Sequence, residues 1–164
     1  MTRSHHAGSD PLSDRDLLIL ASNWHDEGRE VALAFVMRTW GSAPRQAGAV
    51  MVVDKDMHLA GSVSGGCIEG AVIETALNSI GTGKGVQLKF GVADEMAWSV
   101  GLSCGGEITI LLTPITDSGL PAATLKQMAA LCVERQPLCM SFDAQSGVAG
   151  QLESTVSDRA KQSF

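Results

Sequence analysis

The sequence predicts a single α/β domain with a mixed β-sheet flanked by helices, and three observations lead there. Its 164 residues are 45% apolar and 18% charged, the balance of one ordinary globular core. Runs of β-favouring apolar residues alternate with stretches of helical period. Glycines and prolines mark most of the boundaries between those runs.

In chain order, residues 1–12 read as a flexible leader, 13–150 as the domain and 151–164 as a polar tail. Ser13 with Asp16 resembles a capping box, with Asp in the place of Glu or Gln. Leu17, Leu20, Ala21 and Trp24 then recur at helical spacing until Gly28, a C-terminal stop. "VALAFVMRTW" (31–40) is almost continuously apolar and predicts a strand buried on both faces. "GSAPRQAG" (41–48) is a loop, and 49–54 with 58–63 form a hairpin across a polar turn. "CIEGAVIETALNSI" places Ile68, Val72, Ala76 and Ile80 on one helical face, ending at Gly81. Strands follow at 86–91 and 107–113, with a short helix and a turn between them. Beyond them lie a helix stopped by Pro137, a strand "LCMSF" and a turn "DAQSG".

The formal net charge of −6 argues against non-specific binding to nucleic acid or to an anionic membrane surface. No stretch reaches the roughly twenty apolar residues of a membrane span, and the polar N-terminus lacks the apolar core of a secretory signal. A cytoplasmic protein is therefore expected, with Cys67, Cys104, Cys132 and Cys139 as thiols. None of them forms a C-x-x-C pair or neighbours a histidine, so a structural zinc site is poorly supported.

Several motifs bear on chemistry. "GTGKG" (81–85) is not a phosphate loop, because Gly85 stands where Ser or Thr is required and the order is helix then strand. "SGGC" (64–67) follows a strand and opens a helix, where unpaired N–H groups and the positive dipole end favour an anion. That position also favours thiolate, so Cys67 is a candidate nucleophile, soft-metal contact or sulfur carrier, weighed evenly against an inward-facing structural residue. Cys104 in "GLSCGGEI" reads alone as a glycine-rich approach to a strand; its echo of "SGGC" allows two such turns to face one cleft. Cys132 and Cys139 read as core residues. Arg45 lies on a loop after a buried strand, suited either to solvent or to a bidentate phosphate contact. Glu69 is explained by the helix dipole, and His25 and His58 have no partner visible in the sequence.

Taken together, "GSAPRQAGAVM", "GSVSGGCIEG" and "GLSCGGEITI" resemble the xanthine dehydrogenase accessory protein family (XdhC/CoxI) over residues 15–115. The resemblance implies a maturation chaperone rather than an enzyme. It would bind molybdenum cofactor (molybdopterin) as cargo and hold it for sulfuration by a cysteine desulfurase. Delivery would be to an apo molybdenum hydroxylase of the xanthine or CO dehydrogenase type. The cofactor is an anionic pterin phosphate carrying molybdenum on a dithiolene, so it suits N–H donors, an arginine and a soft thiolate. Within that resemblance the cofactor-binding residues are Arg45, Ser64, Gly65, Gly66, Cys67, Cys104, Gly105 and Gly106, with Cys67 as the molybdenum contact.

Many relatives carry a second, dinucleotide-fold domain, and no G-x-G-x-x-G after a strand occurs here. A homodimer or a separate dinucleotide-fold partner is therefore expected to complete the cleft. Two alternatives rank lower: a scaffold that docks the target dehydrogenase without touching cofactor, and a thiol-redox protein using Cys67 and Cys104.

Overall fold

The computed structural model describes residues 11–91, 106–143 and 146–153. Helix α1 (Asp14–Asp26) opens with the expected reciprocal box: the Asp16 amide donates to Ser13 Oγ, and the Ser13 amide donates to the Asp16 carboxylate. Those bonds hold the Asp16 carboxyl below the usual range. Gly28, at φ +85°, lets the chain turn out of the helix.

Strand β1 (Val31–Trp40) follows, then β2 (Val50–Asp54) and a short β3 (Leu59–Gly61). The turn between β2 and β3 is built by Asp54, whose Oδ1 accepts from the amides of Asp56 and His58. Its Oδ2 accepts from Arg29 and lies 2.9 Å from His58 Nδ1, which gives His58 the partner that the sequence did not reveal. Burial opposes ionisation of Asp54, but these bonds prevail and hold its carboxyl below the ordinary value. Asp54, Asp56 and His58 stand close enough to hold a cation; the Asp54 carboxylate and His58 Nδ1 are engaged with the turn itself.

Helix α2 (Glu69–Thr82) buries Val72, Ala76 and Ile80 on the face the sequence predicts. It runs past Gly81 and stops at Gly83, which takes φ +70° and donates to the Ser79 and Ile80 carbonyls. Both glycines were available as stops, and only the second adopts the left-handed conformation. Strands β4 (Val86–Phe90) and β5 (Glu107–Pro114) follow, then α3 (Ala122–Val133). Pro137 does not end α3; Arg135, at φ +54°, reverses the chain before it is reached.

The main sheet has the order β3-β2-β1-β5-β4, and every pair in it is antiparallel, where a mixed sheet was expected. A helix linking two strands marks a parallel pair only when those strands are neighbours. Here β3 and β4 do run in the same direction, but α2 carries the chain from one edge of the sheet to the other. Their hydrogen-bonded neighbours are therefore antiparallel. The α/β class, the single sheet core and the flanking helices stand.

Two cores sandwich the sheet. Ala32, Ala34, Val36, Met51, Val53, Ile108, Ile110 and Leu112 pack under α2. Val31, Leu33, Phe35, Val50 and Val52 pack under α1 and α3 through Leu17, Leu18, Leu125 and Met128. A second sheet, β6 (Cys139–Phe142) paired with β7 (Ala149–Glu153), leans on this core, with the Phe142 and Phe35 rings 5.2 Å apart. The polar residues around Leu152 concealed β7, which runs beyond 150 into the stretch read as tail. Strand alternation turns Cys139 outward, so it is exposed rather than a core residue. Cys132 is buried as expected, and burial pushes its thiol pKa up.

Gly61 marks a point where the backbone admits no side chain. It has φ +83°, and a Cβ there would meet the Val50 carbonyl at 2.4 Å and a Leu17 methyl at 2.6 Å. Gly61→Ala is expected to cost about 2–4 kcal/mol, adding conformational strain to overpacking. Gly28→Ala, with open space around it, should cost only about 1 kcal/mol. Urea unfolding of the two variants checks the difference.

Candidate functional site

Because β1 and β3 run opposite to β5, the end of β1, the end of β3 and the start of β5 lie at one end of the sheet. The three glycine motifs occupy those positions, and the tertiary contacts bring them together. Gly106 is buried against the carbonyls of Trp40 and Ser42, each 2.8 Å from where its Cβ would stand. Gly65 faces Pro44, whose Cβ would be 3.3 Å from a side chain there. Cys104 and Gly105, along with the helix and turn expected between β4 and β5, lie outside the described residues.

Arg45 joins the first two motifs. Its Nε donates to the Ser62 carbonyl at 3.2 Å, and Nη2 donates to Asp14 Oδ1 at 2.8 Å. The same Asp14 oxygen accepts the Val50 amide at 2.9 Å, so the first turn of α1, the 41–48 loop and β2 meet on one carboxylate. Two of the arginine's five donors are therefore committed to the scaffold.

The 62–68 loop is organised by Glu69, which sequence reasoning assigned only to the helix dipole. Its carboxylate accepts from Ser62 Oγ at 2.6 Å, Ser64 Oγ at 2.6 Å and the Ser64 amide at 3.0 Å. Ser62 Oγ in turn accepts the Gly65 amide, and Ser64 Oγ accepts the Ile68 amide. Partial burial opposes the charge on Glu69, yet the serine hydroxyls and the Ser64 amide outweigh it and bring the pKa from 4.5 to about 2. Serine at positions 62 and 64 with a carboxylate at 69 was the signal in the sequence that could have revealed this nest.

The anion site expected at "SGG" is thus already filled in part by the chain's own carboxylate. Of the three amides, Ser64 donates to Glu69 and Gly65 donates to Ser62. The amides of Gly66 and Cys67 take no partner among the described residues. Gly65 and Gly66 hold φ +75° and +120°, and both are exposed, so the loop presents backbone rather than side chains outward. Cys67 precedes α2 by two residues; it is partly buried and packs against the core beneath that helix.

Comparison with known proteins bears on the family and the fold. Residues 24–91 match the XdhC and CoxI family. The chain is 31% identical over 119 residues to a molybdenum cofactor insertion chaperone, PaoD, of Escherichia coli, covering 73% of this chain and 36% of that one. It is 32% identical over 94 residues to a probable xanthine dehydrogenase component of Bacillus subtilis, covering 56% of this chain and 28% of the relative. The chain thus spans about a third of the length of these curated relatives. A solved structure described as a xanthine dehydrogenase of Bacillus halodurans has the same fold, with a TM-score of 0.70 and 23% identity over 90% of this chain and 43% of its own.

The depressed pKa of Glu69 fixes the sign of a pH effect. Its contribution to stability is complete above its ordinary pKa and is lost as pH falls from about 4.5 towards about 2. Glu69→Gln should destabilise the chain at pH 7 by about 1–3 kcal/mol, the range for losing charge-assisted hydrogen bonds. The gap between wild type and variant should close as pH falls through that window. Denaturant unfolding of both proteins at neutral pH and near pH 2.5 measures it.

Proposed function

Because the chain belongs to the XdhC and CoxI family, we propose that it serves as a chaperone for molybdenum cofactor during molybdoenzyme maturation. In this reading it holds the cofactor while a cysteine desulfurase installs sulfur, then passes it to an apo-enzyme of the xanthine or CO dehydrogenase type in the cytoplasm. The observation that carries the reading is the 31% identity to an insertion chaperone. No step of bond-making is assigned to the chain itself.

The geometry supports a binding role at the gathered loops. The Gly66 and Cys67 amides, without a partner among the described residues, are the donors assigned to an incoming anion, while Ser64 and Gly65 shape the loop from within. The Cys67 thiol sits beside those amides and provides a soft contact for molybdenum. Arg45 retains N–H donors beyond the two that brace the loops, which suits it to a phosphate or pterin contact. Gly106 places the third motif against the first, and Cys104 and Gly105 complete the proposed set. A second copy or a dinucleotide-fold partner closes the other side of the cleft.

The test is equilibrium binding of molybdenum cofactor to the purified chain under anaerobic conditions. Wild type should bind with 1:1 stoichiometry, and Cys67→Ala should weaken binding by about tenfold, equivalent to about 1.4 kcal/mol. Absence of binding would overturn the reading and favour a scaffold that contacts only the target enzyme. Binding lost with reversible oxidation of Cys67 would favour the redox alternative.

A further inference from the structure

Beside the gathered loops lies a second feature, created by a break in strand register. The pairing of β1 with β5 shifts between Val36 and Arg38, so Met37 is an extra residue on β1. In an unbroken register Met37 would oppose Thr109, and Arg38 would oppose Ile108 and point into the core under α2. With the bulge, Arg38 opposes Thr109 and Trp40 opposes Glu107, on the other face. Lys89 of β4 also opposes Thr109, from its far side. Arg38, Thr109 and Lys89 therefore form one row across three strands, with Trp40 and Glu107 in the row beside it.

Helices α1 and α3 cover this face farther along the sheet, over Val31, Leu33 and Phe35. At the bulged end the face opens into a pocket of about 380 Å³, lined by Arg38, Thr39, Trp40, Lys89, Glu107 and Thr109. Trp40 is 65% exposed, an uncommon state for so large an apolar ring. Gly91, with no side chain, lies under Glu107, whose Cγ would be 3.1 Å from a Cβ there. Among the described residues neither Arg38 nor Lys89 forms an ion pair, and neither does Glu107. In a chain of net charge −6, two cations that flank Thr109 with no ion pair among the described residues stand out against the overall sign.

We infer that this pocket is a subsite for the planar, amino-substituted ring and phosphate of a pterin-type ligand. The inference rests on the chaperone reading and assigns to this pocket the ring and phosphate for which Arg45 was the other candidate. The indole supplies a stacking face for a flat heteroaromatic ring. A 2-amino-4-oxopyrimidine edge presents an N–H and an NH₂ side by side, a donor pair that matches the two oxygens of Glu107. Arg38 and Lys89 receive the phosphate, Arg38 through paired N–H donors and Lys89 as a point charge. Gly106, pressed on the Trp40 carbonyl, couples this platform to the end of the sheet where Cys67 lies.

The experiment measures binding of molybdenum cofactor and, separately, of guanosine 5′-monophosphate, which carries the same pyrimidine edge and a phosphate. Wild type is compared with Trp40→Ala, with the double variant Arg38→Ala/Lys89→Ala, and with Glu107→Gln. All four positions are exposed, so melting temperatures should match wild type and exclude misfolding. Trp40→Ala should weaken cofactor binding at least tenfold, with Trp40→Phe largely restoring it. The double variant should also lose most of the salt dependence of binding. If wild type binds cofactor and these variants bind equally well, the subsite is wrong and the chaperone reading stands. If wild type binds no cofactor, that reading fails, and the nucleotide decides the platform: binding lost in the variants sustains it as a ring-and-phosphate site, and absence of nucleotide binding overturns it.

Discussion

Side chains on a strand alternate between two faces, so inserting one residue changes the face of everything after it. Met37 is that residue in β1, and much of the molecule follows from it. Before the bulge, Val31–Val36 are buried on both faces and hold the two cores apart. After it, Arg38 and Trp40 leave the core side and emerge exposed on the face that α1 and α3 cover farther along. One strand thereby serves as the centre of the fold for its first half and as a surface platform for its second. The loop that follows, 41–48, starts from the platform and returns to β2 against the first turn of α1.

Glu69 imposes a comparable constraint on the neighbouring loop. A helix N-terminus preceded by glycines offers donors to any anion, and here an internal carboxylate takes the innermost of them. The two serines that bond it are themselves acceptors for the Gly65 and Ile68 amides, so the loop is a closed network and not an open cradle. The Gly66 and Cys67 amides stay outside this network, without a partner among the described residues. Preorganised donors bind with less loss of conformational freedom than donors that must first be ordered.

The acidic balance of the chain and the cationic row at Arg38 and Lys89 are compatible because they act over different distances. Net charge governs encounters with extended polyanions, whereas a pocket responds to the groups within a Debye length, about 8 Å at physiological salt. Net charge that disfavours a nucleic acid therefore does not exclude a small anion. Among the described residues no helix is long and apolar enough to cross a membrane. The chain spans about a third of the length of the curated relatives it matches.

Local signals in the sequence were enough to place most elements. The Ser13–Asp16 box began α1, the apolar run at 31–40 gave β1, and the Ile68, Val72, Ala76 and Ile80 spacing oriented α2. The glycine motifs located the loops and drew attention to Cys67. Each of these depends on residues within a turn or two of one another. The all-antiparallel order, the exposure of Cys139, the β7 pairing and the Glu69 network depended on contacts between distant segments. The Arg38–Thr109–Lys89 row is the clearest case, because its members come from three strands. No spacing in the sequence relates them; they meet only because hydrogen-bond register, shifted by one residue at Met37, turned them to the same face.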